Sequence, residues 1–169
     1  MEDNRIEEEM RELESKLNYH FKDISWLSTA MASIKIKVRG EGRNHSEYMN
    51  EGLATIGDTL IKFILSDDLY KSGITTKGDI TIKKSSLENN SIMHQVMLNE
   101  GFINYAYNDK HFYKEDNIPQ HEKVVCGKHD PYLEAIAAAI YYDSGFETVR
   151  KWIIATLKPL LRKYADLSK

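Results

Sequence analysis

The sequence predicts an all-α fold. Three observations lead there. Apolar residues recur at spacings of three and four through most of the chain. Glycines fall just beyond the periodic stretches, at Gly73, Gly101 and Gly145. No strand-period segment stands out, and Lys35-Ile36-Lys37-Val38 alternates only briefly. The 169 residues suit one domain, spanning 1–169.

Each element follows in order. Glu7 to Leu17 reads as a polar amphipathic helix, and residues 1–13 as a polar helix or arm. Ile24 to Ile36 places Leu27, Ala30, Met31 and Ile34 on one face of a second helix. Arg39–Arg43 is a glycine-broken loop. Ser46 to Tyr70 is the longest periodic stretch, with Met49, Leu53, Ile56, Leu60, Phe63 and Ile64 as its apolar stripe. Gly57 inside it costs about 1 kcal/mol relative to Ala, which predicts close approach of another backbone. Lys77–Lys84 and Leu87–Asn99 are shorter helices. Residues 108–129 are polar and read as a surface excursion. Asp130-Pro131 supplies a cap and a first-turn proline for a helix to about Tyr142. Phe146 to Tyr164 is the last helix, kinked by Pro159.

Composition narrows the class. Hydrophobic residues are 41% and charged residues 29%, an ordinary globular balance. The net charge of −3 excludes a strongly basic nucleic-acid coat. No apolar run approaches the ~20 residues of a membrane span, so no membrane association is expected. The acidic N-terminus has no apolar core of a secretory signal. Cys126 is the only cysteine, which excludes an intrachain disulfide and fits a cytoplasmic setting.

Two segments hold carboxylates that the hydrophobic pattern does not explain. In Asn50-Glu51-Gly52-Leu53-Ala54-Thr55-Ile56-Gly57-Asp58, Glu51 and Asp58 lie seven apart and share a helix face. A solvated face is the competing reading. In Asp130-Pro131-Tyr132-Leu133-Glu134-Ala135, Glu134 has Ala137, Ala138 and Tyr141 as helical neighbours. An ionised carboxylate on that apolar face is costly without a compensating charge. A metal or a buried lysine would serve equally, and Asp130 would also serve simply as a cap.

Taken in order, these blocks resemble the ribonuclease III nuclease domain. The first is similar to the family's signature Asn-Glu, Leu and Gly-Asp helix. The second is similar to its late helix, here Glu134-Ala135 running to Tyr141-Tyr142-Asp143. Gly78-Asp79-Ile80-Thr81, Leu87-Glu88-Asn89-Asn90 and Leu17-Asn18-Tyr19-His20-Phe21-Lys22-Asp23 resemble its connecting and leading segments. The resemblance implies a dimeric helical endonuclease for double-stranded or structured RNA, using Mg²⁺ (or Mn²⁺) to activate water. It implies Asp58 and Glu134 as principal ligands, with Glu51 and Asp130 as further ones. It also implies Asn90 as a positioning residue. Two family carboxylates are replaced, by Ala54 and Pro131. The pattern Leu53-Ala54-Thr55-Ile56-Gly57-Asp58 resembles the reduced Mini-III branch, in which an Asp58/Glu134 pair suffices. The stretch after the last helix is too short for the family's double-stranded-RNA-binding domain. RNA binding is therefore expected from the nuclease surface, the homodimer or a helper RNA-binding protein. Lys77, Lys83, Lys84 and Lys128 are the candidate phosphate contacts, with generic solvated surface as the alternative.

Other patterns carry less. His129-Asp130 lacks the further histidines of a metal phosphohydrolase, and Cys126 with His129 cannot fill four zinc positions. Tyr105, Tyr107, Phe112 and Tyr113 either stack on bases or pin the excursion to the body. Two rival functions remain: a catalytically impaired dimer that binds structured RNA or a ribonucleoprotein, and a helical protein-interaction module.

Overall fold

A computed structural model describes residues 2–40, 42–108 and 131–169. In chain order it has α1 (Glu2–Lys16), α2 (Ser25–Met31), β1 (Ala32–Ser33), β2 (Lys35–Gly40), β3 (Arg43–Tyr48), α3 (Glu51–Lys71), α4 (Lys77–Ser85) and α5 (Asn90–Asn99). A 3₁₀ turn (Phe102–Tyr105) and β4 (Tyr107–Asn108) follow. Then come α6 (Tyr132–Ser144), α7 (Phe146–Trp152), a π-helical turn (Ile153–Leu157) and α8 (Lys158–Leu167).

α6 is the central helix because it is apolar all round. From Tyr132 to Ile140 every residue except Glu134 is buried. Its four alanines at 135 and 137–139 let neighbouring helices close in. α3 makes its most extensive packing against α6, and α2 packs there too. α1 is part of the body, since Met10 and Leu13 are fully buried.

The loop after α1 is fastened to the end of α6. Asp143 accepts the Lys22 and Asp23 backbone N–H groups at 3.0 and 2.9 Å, and the Tyr19 hydroxyl at 2.6 Å. The Trp152 indole N–H donates to Leu17 O at 2.8 Å. These bonds hold the leading segment and the late helix together across the chain.

Three expectations are corrected. Residues 35–48 are neither helix nor plain loop: β2 and β3 form an antiparallel hairpin, with Lys35 opposite Tyr48 and Gly40 opposite Arg43. Gly42, at φ 75°, supplies the left-handed conformation at its turn. The second helix therefore ends at Met31 and the long one begins at Glu51. The hairpin is two-stranded, with only Ile36 and Val38 on the apolar face of β2 and no aliphatic residue in β3, so its strand period is too short to announce it.

The buried stripe of α3 also differs from the expected one. It is Ala54, Gly57, Ile61, Ile64 and Leu65. Met49, Ile56 and Phe63 are exposed. The small residues at 54 and 57 admit α6, Ile61, Ile64 and Leu65 pack inward, and Met49, Ile56 and Phe63 are turned outward. Pro159 interrupts the last helix as expected. It lacks an N–H for Ala155 O, and the π turn at Ile153–Leu157 absorbs the mismatch.

Candidate active site

The contact between α3 and α6 is set by Gly57. A Cβ built there would lie 1.6 Å from the Glu134 carbonyl oxygen and 3.0 Å from its Cα. Only glycine permits this approach. The next residue on α3, Asp58, is thereby brought beside Glu134.

A third carboxylate joins them. Oxygen atoms of Asp58, Glu88 and Glu134 all lie within 4.8 Å of one another, and all three residues are half-buried. Glu88 comes from the turn between α4 and α5. Its N–H donates to Lys84 O at 2.8 Å, and Asn89 Oδ1 caps α5 by accepting the Ile92 N–H at 2.9 Å. Lys62, one turn after Asp58, donates to Asp58 Oδ2 at 2.9 Å and stands 3.8 Å from Glu88.

Crowding of like charges at a partly dry spot disfavours ionisation. Burial pushes Glu134 up to about 7, with the Asp58 and Glu88 charges adding and Lys62 opposing. Burial also raises Glu88, against the pull of Lys62. Lys62 is raised in turn, first by its hydrogen bond to Asp58. The donor set is all oxygen and the negative charge is in excess. That is the chemistry a hard divalent cation requires.

Asp58 and Glu134 are thus together. Glu51 is not part of this cluster: its Oε2 accepts the Tyr48 N–H at 2.7 Å, joining β3 to α3. Asn50 is fully buried and donates to Ala30 O at 3.0 Å, tying α3 to α2. Asn90 is the exposed first residue of α5. Lys77 opens α4, and Lys83 and Lys84 lie in its last turn. Asp130 and Lys128 lie outside the described residues, as do Cys126, His129, Phe112 and Tyr113. Tyr105 and Tyr107 are buried, and the Tyr107 hydroxyl donates to Ser28 O at 2.6 Å. These two rings hold residues 105–107 against the body, and the expected excursion at 108–129 lies, apart from Asn108, outside the described residues.

Sequence reasoning missed Glu88 and Lys62. The Asp58–Lys62 pair was visible as an i, i+4 spacing. Glu88 sits between two helices, where periodicity says nothing about direction.

Comparison with known proteins decides the family. The ribonuclease III domain matches residues 51–145, which include α3, the cluster and α6. The chain belongs to the ribonuclease III family.

Among its relatives, the Ribonuclease 3 of Bdellovibrio bacteriovorus is 27% identical over 161 residues, covering 92% of this chain and 63% of that protein. The Ribonuclease 3 of Dehalococcoides mccartyi is 28% identical over 166 residues, covering 95% and 65%. The chain therefore spans a little under two thirds of the length of these ribonuclease III relatives. A solved structure of the nuclease domain of ribonuclease III from Campylobacter jejuni shares the fold, with a TM-score of 0.64 at 22% identity. The match covers 90% of this chain and 95% of that one. That structure was described for flexibility in its region of dimer formation. Among the described residues, no helix is long and apolar enough to cross a membrane.

Proposed function

We propose that this chain is a metal-dependent endoribonuclease acting on double-stranded or structured RNA in RNA processing, leaving 5′-phosphate and 3′-hydroxyl ends. The observation that carries the reading is the carboxylate cluster held between α3 and α6, inside the segment matched by the ribonuclease III domain. Asp58 and Glu134 would hold the metal. Bound Mg²⁺, or Mn²⁺ in its place, would supply a water acidic enough to attack near neutral pH and charge to offset the developing oxyanion. Gly57 keeps the two helices close enough for both carboxylates to share one ion. Glu51 steadies the start of α3, and Asn90, at the start of α5 beside the turn that carries Glu88, would position a ligand or water. Asp130 would join Asp58 and Glu134 as a further ligand through a local shift of the chain, since the family carboxylate's own position is Pro131.

RNA phosphates would be met by the basic residues near α4. Lys83 and Lys84 line a cavity of about 500 Å³ with Lys158, Arg162 and Lys169. Asp68 is paired with Lys158 and Asp166 with Lys169. Lys83, Lys84 and Arg162 are left as surplus positive charge at this wall. With Lys77 and Lys128 they would read backbone shape and not sequence, so binding should weaken with salt.

A homodimer is the proposed assembly. Ile56, Phe63 and Tyr70 are exposed at intervals of seven along one face of α3, with Met49 exposed just ahead of the helix. Phe146 adjoins this stripe, its ring 6.0 Å from that of Phe63. A row of large apolar side chains on a surface marks an interaction face.

Cleavage of a long RNA duplex tests the function. Wild type should cut with Mg²⁺ and stop with EDTA, and Asp58→Asn and Glu134→Gln should each lose at least about a hundredfold in rate. A second reading is favoured by Ala54, a buried methyl where the family resemblance places a carboxylate. It makes the chain a binder of structured RNA or of a ribonucleoprotein. A wild type that retards the duplex in a gel yet leaves it uncut with either metal would establish that reading instead.

A further inference from the structure

We propose that Glu88 is the third ligand of the divalent-cation site, making good the carboxylate absent at Ala54, with Lys62 as a resident counter-cation. The proposal rests on the nuclease reading above and deepens it. It assigns a residue outside the set that the family resemblance designates.

Ala54 and Asp58 are one turn apart, but Ala54 is 6% exposed and packed in the core, with no donor to offer. On the other side of Asp58, one turn further, stands Lys62. Glu88 enters on that side, from a different element. Its carboxylate reaches within 4.8 Å of both Asp58 and Glu134. The third carboxylate therefore comes from the Lys62 side of Asp58 and not from the Ala54 side, while Asp58 and Glu134 keep their places.

A bland alternative makes Glu88 only the ion-pair partner of Lys62. The distances argue against it. Lys62 sits at 2.9 Å from Asp58 and at 3.8 Å from Glu88, so its hydrogen bond goes to Asp58. Glu88 is instead positioned by its own backbone bond to Lys84 O and by the Asn89 cap that follows. A half-buried carboxylate held by its backbone against two others is destabilising unless a cation completes the group.

Charge counting points to one ion. Three carboxylates and one ammonium leave two negative charges, which one divalent cation neutralises. Lys62 then competes with the metal for Asp58. Removing its charge should tighten metal binding.

Calorimetric titration with Mn²⁺ alone, at a pH above 7, tests this on the full chain. Wild type should bind one equivalent. Glu88→Gln should bind at least about tenfold more weakly. Glu88→Asp, which keeps the charge and shortens the reach, should fall between them. Lys62→Met should bind more tightly. Circular dichroism of each variant checks the fold, and the Asp variant keeps the test open should the Gln variant not fold. Equal Mn²⁺ affinity of wild type and both Glu88 variants, with Asp58→Asn deficient, would overturn the assignment and leave the nuclease reading standing. A wild type that binds no Mn²⁺ and does not cut duplex RNA with Mg²⁺ would overturn both.

Discussion

The two apolar faces of α3 meet opposite fates. One carries Ala54, Gly57, Ile61, Ile64 and Leu65 and is buried within the chain. The other carries Ile56, Phe63 and Tyr70, in line with Met49 just ahead of the helix, and is exposed. Phe63 and Tyr70 keep 56% and 59% of their surface. A 3.6-residue helix returns to nearly the same face every seven residues, so both rows are coherent stripes. The buried face is explained by this chain alone. The exposed face is large and aromatic, and among the described residues the ring packed on it is that of Phe146 beside Phe63, which leaves more than half of the Phe63 surface open. The buried face also holds the chemistry, because close packing there forces Asp58 against Glu134. The lesson is that the small pair Ala54 and Gly57 sets where α6 can approach, Ile61, Ile64 and Leu65 fill the contact beside it, and hydrophobicity alone does not tell this face from the outward one.

The strongest way to break this contrast is Gly57→Val. The added Cβ meets backbone, which cannot swing aside as a side chain can. We expect a loss of at least about 3 kcal/mol, which lowers the melting temperature by roughly 10 °C for a chain of this size. Calorimetry or thermal circular dichroism reads it directly. A melt unchanged from wild type would mean that α3 and α6 do not touch as described.

Phe63→Glu probes the other face. If that stripe joins two copies, the variant should sediment as a monomer at concentrations where wild type is a dimer. Secondary structure should be retained, since Phe63 contributes little to the protomer core. A monomeric wild type would leave the exposed stripe without the proposed role.

A smaller effect sharpens the electrostatic difference between the faces. Glu134 is pushed up to about 7, from an ordinary value near 4.5. A carboxyl whose folded value is raised contributes stability below its unfolded value and loses it as pH climbs toward the folded one. With divalent cations removed, the melting temperature should fall between about pH 4.5 and 7 and then level. Glu134→Gln should flatten that part of the profile. A wild-type profile flat across this range would contradict the crowding of the three carboxylates.

Much of this was legible in advance, for identifiable reasons. α6 ends near Tyr142 and Gly145 as its composition indicates, and its only non-buried position between Tyr132 and Ile140 is the carboxylate that looked out of place. Gly57 announced a close backbone contact because a mid-helix glycine has an energetic cost that needs a return. The hairpin stayed hidden because β2 has only Ile36 and Val38 on its apolar face and β3 has no aliphatic residue to answer them. Their pairing is a property of two segments and not of either one. Glu88 stayed hidden for a similar reason, since a residue in a turn has no periodicity to orient it.

By itself the sequence determined the helical class, the central apolar helix and the two helices that carry Asp58 and Glu134. Local periodicity, glycine placement and an anomalous carboxylate suffice for these, because each is a property of neighbouring residues. Only the tertiary structure decided which face of α3 is inside, where Glu51 turns, and that Glu88 and Lys62 belong to the carboxylate group. Those outcomes depend on the approach of elements distant in the chain. The distance of approach is set by side-chain volume at the contact, and at Gly57 that volume is zero.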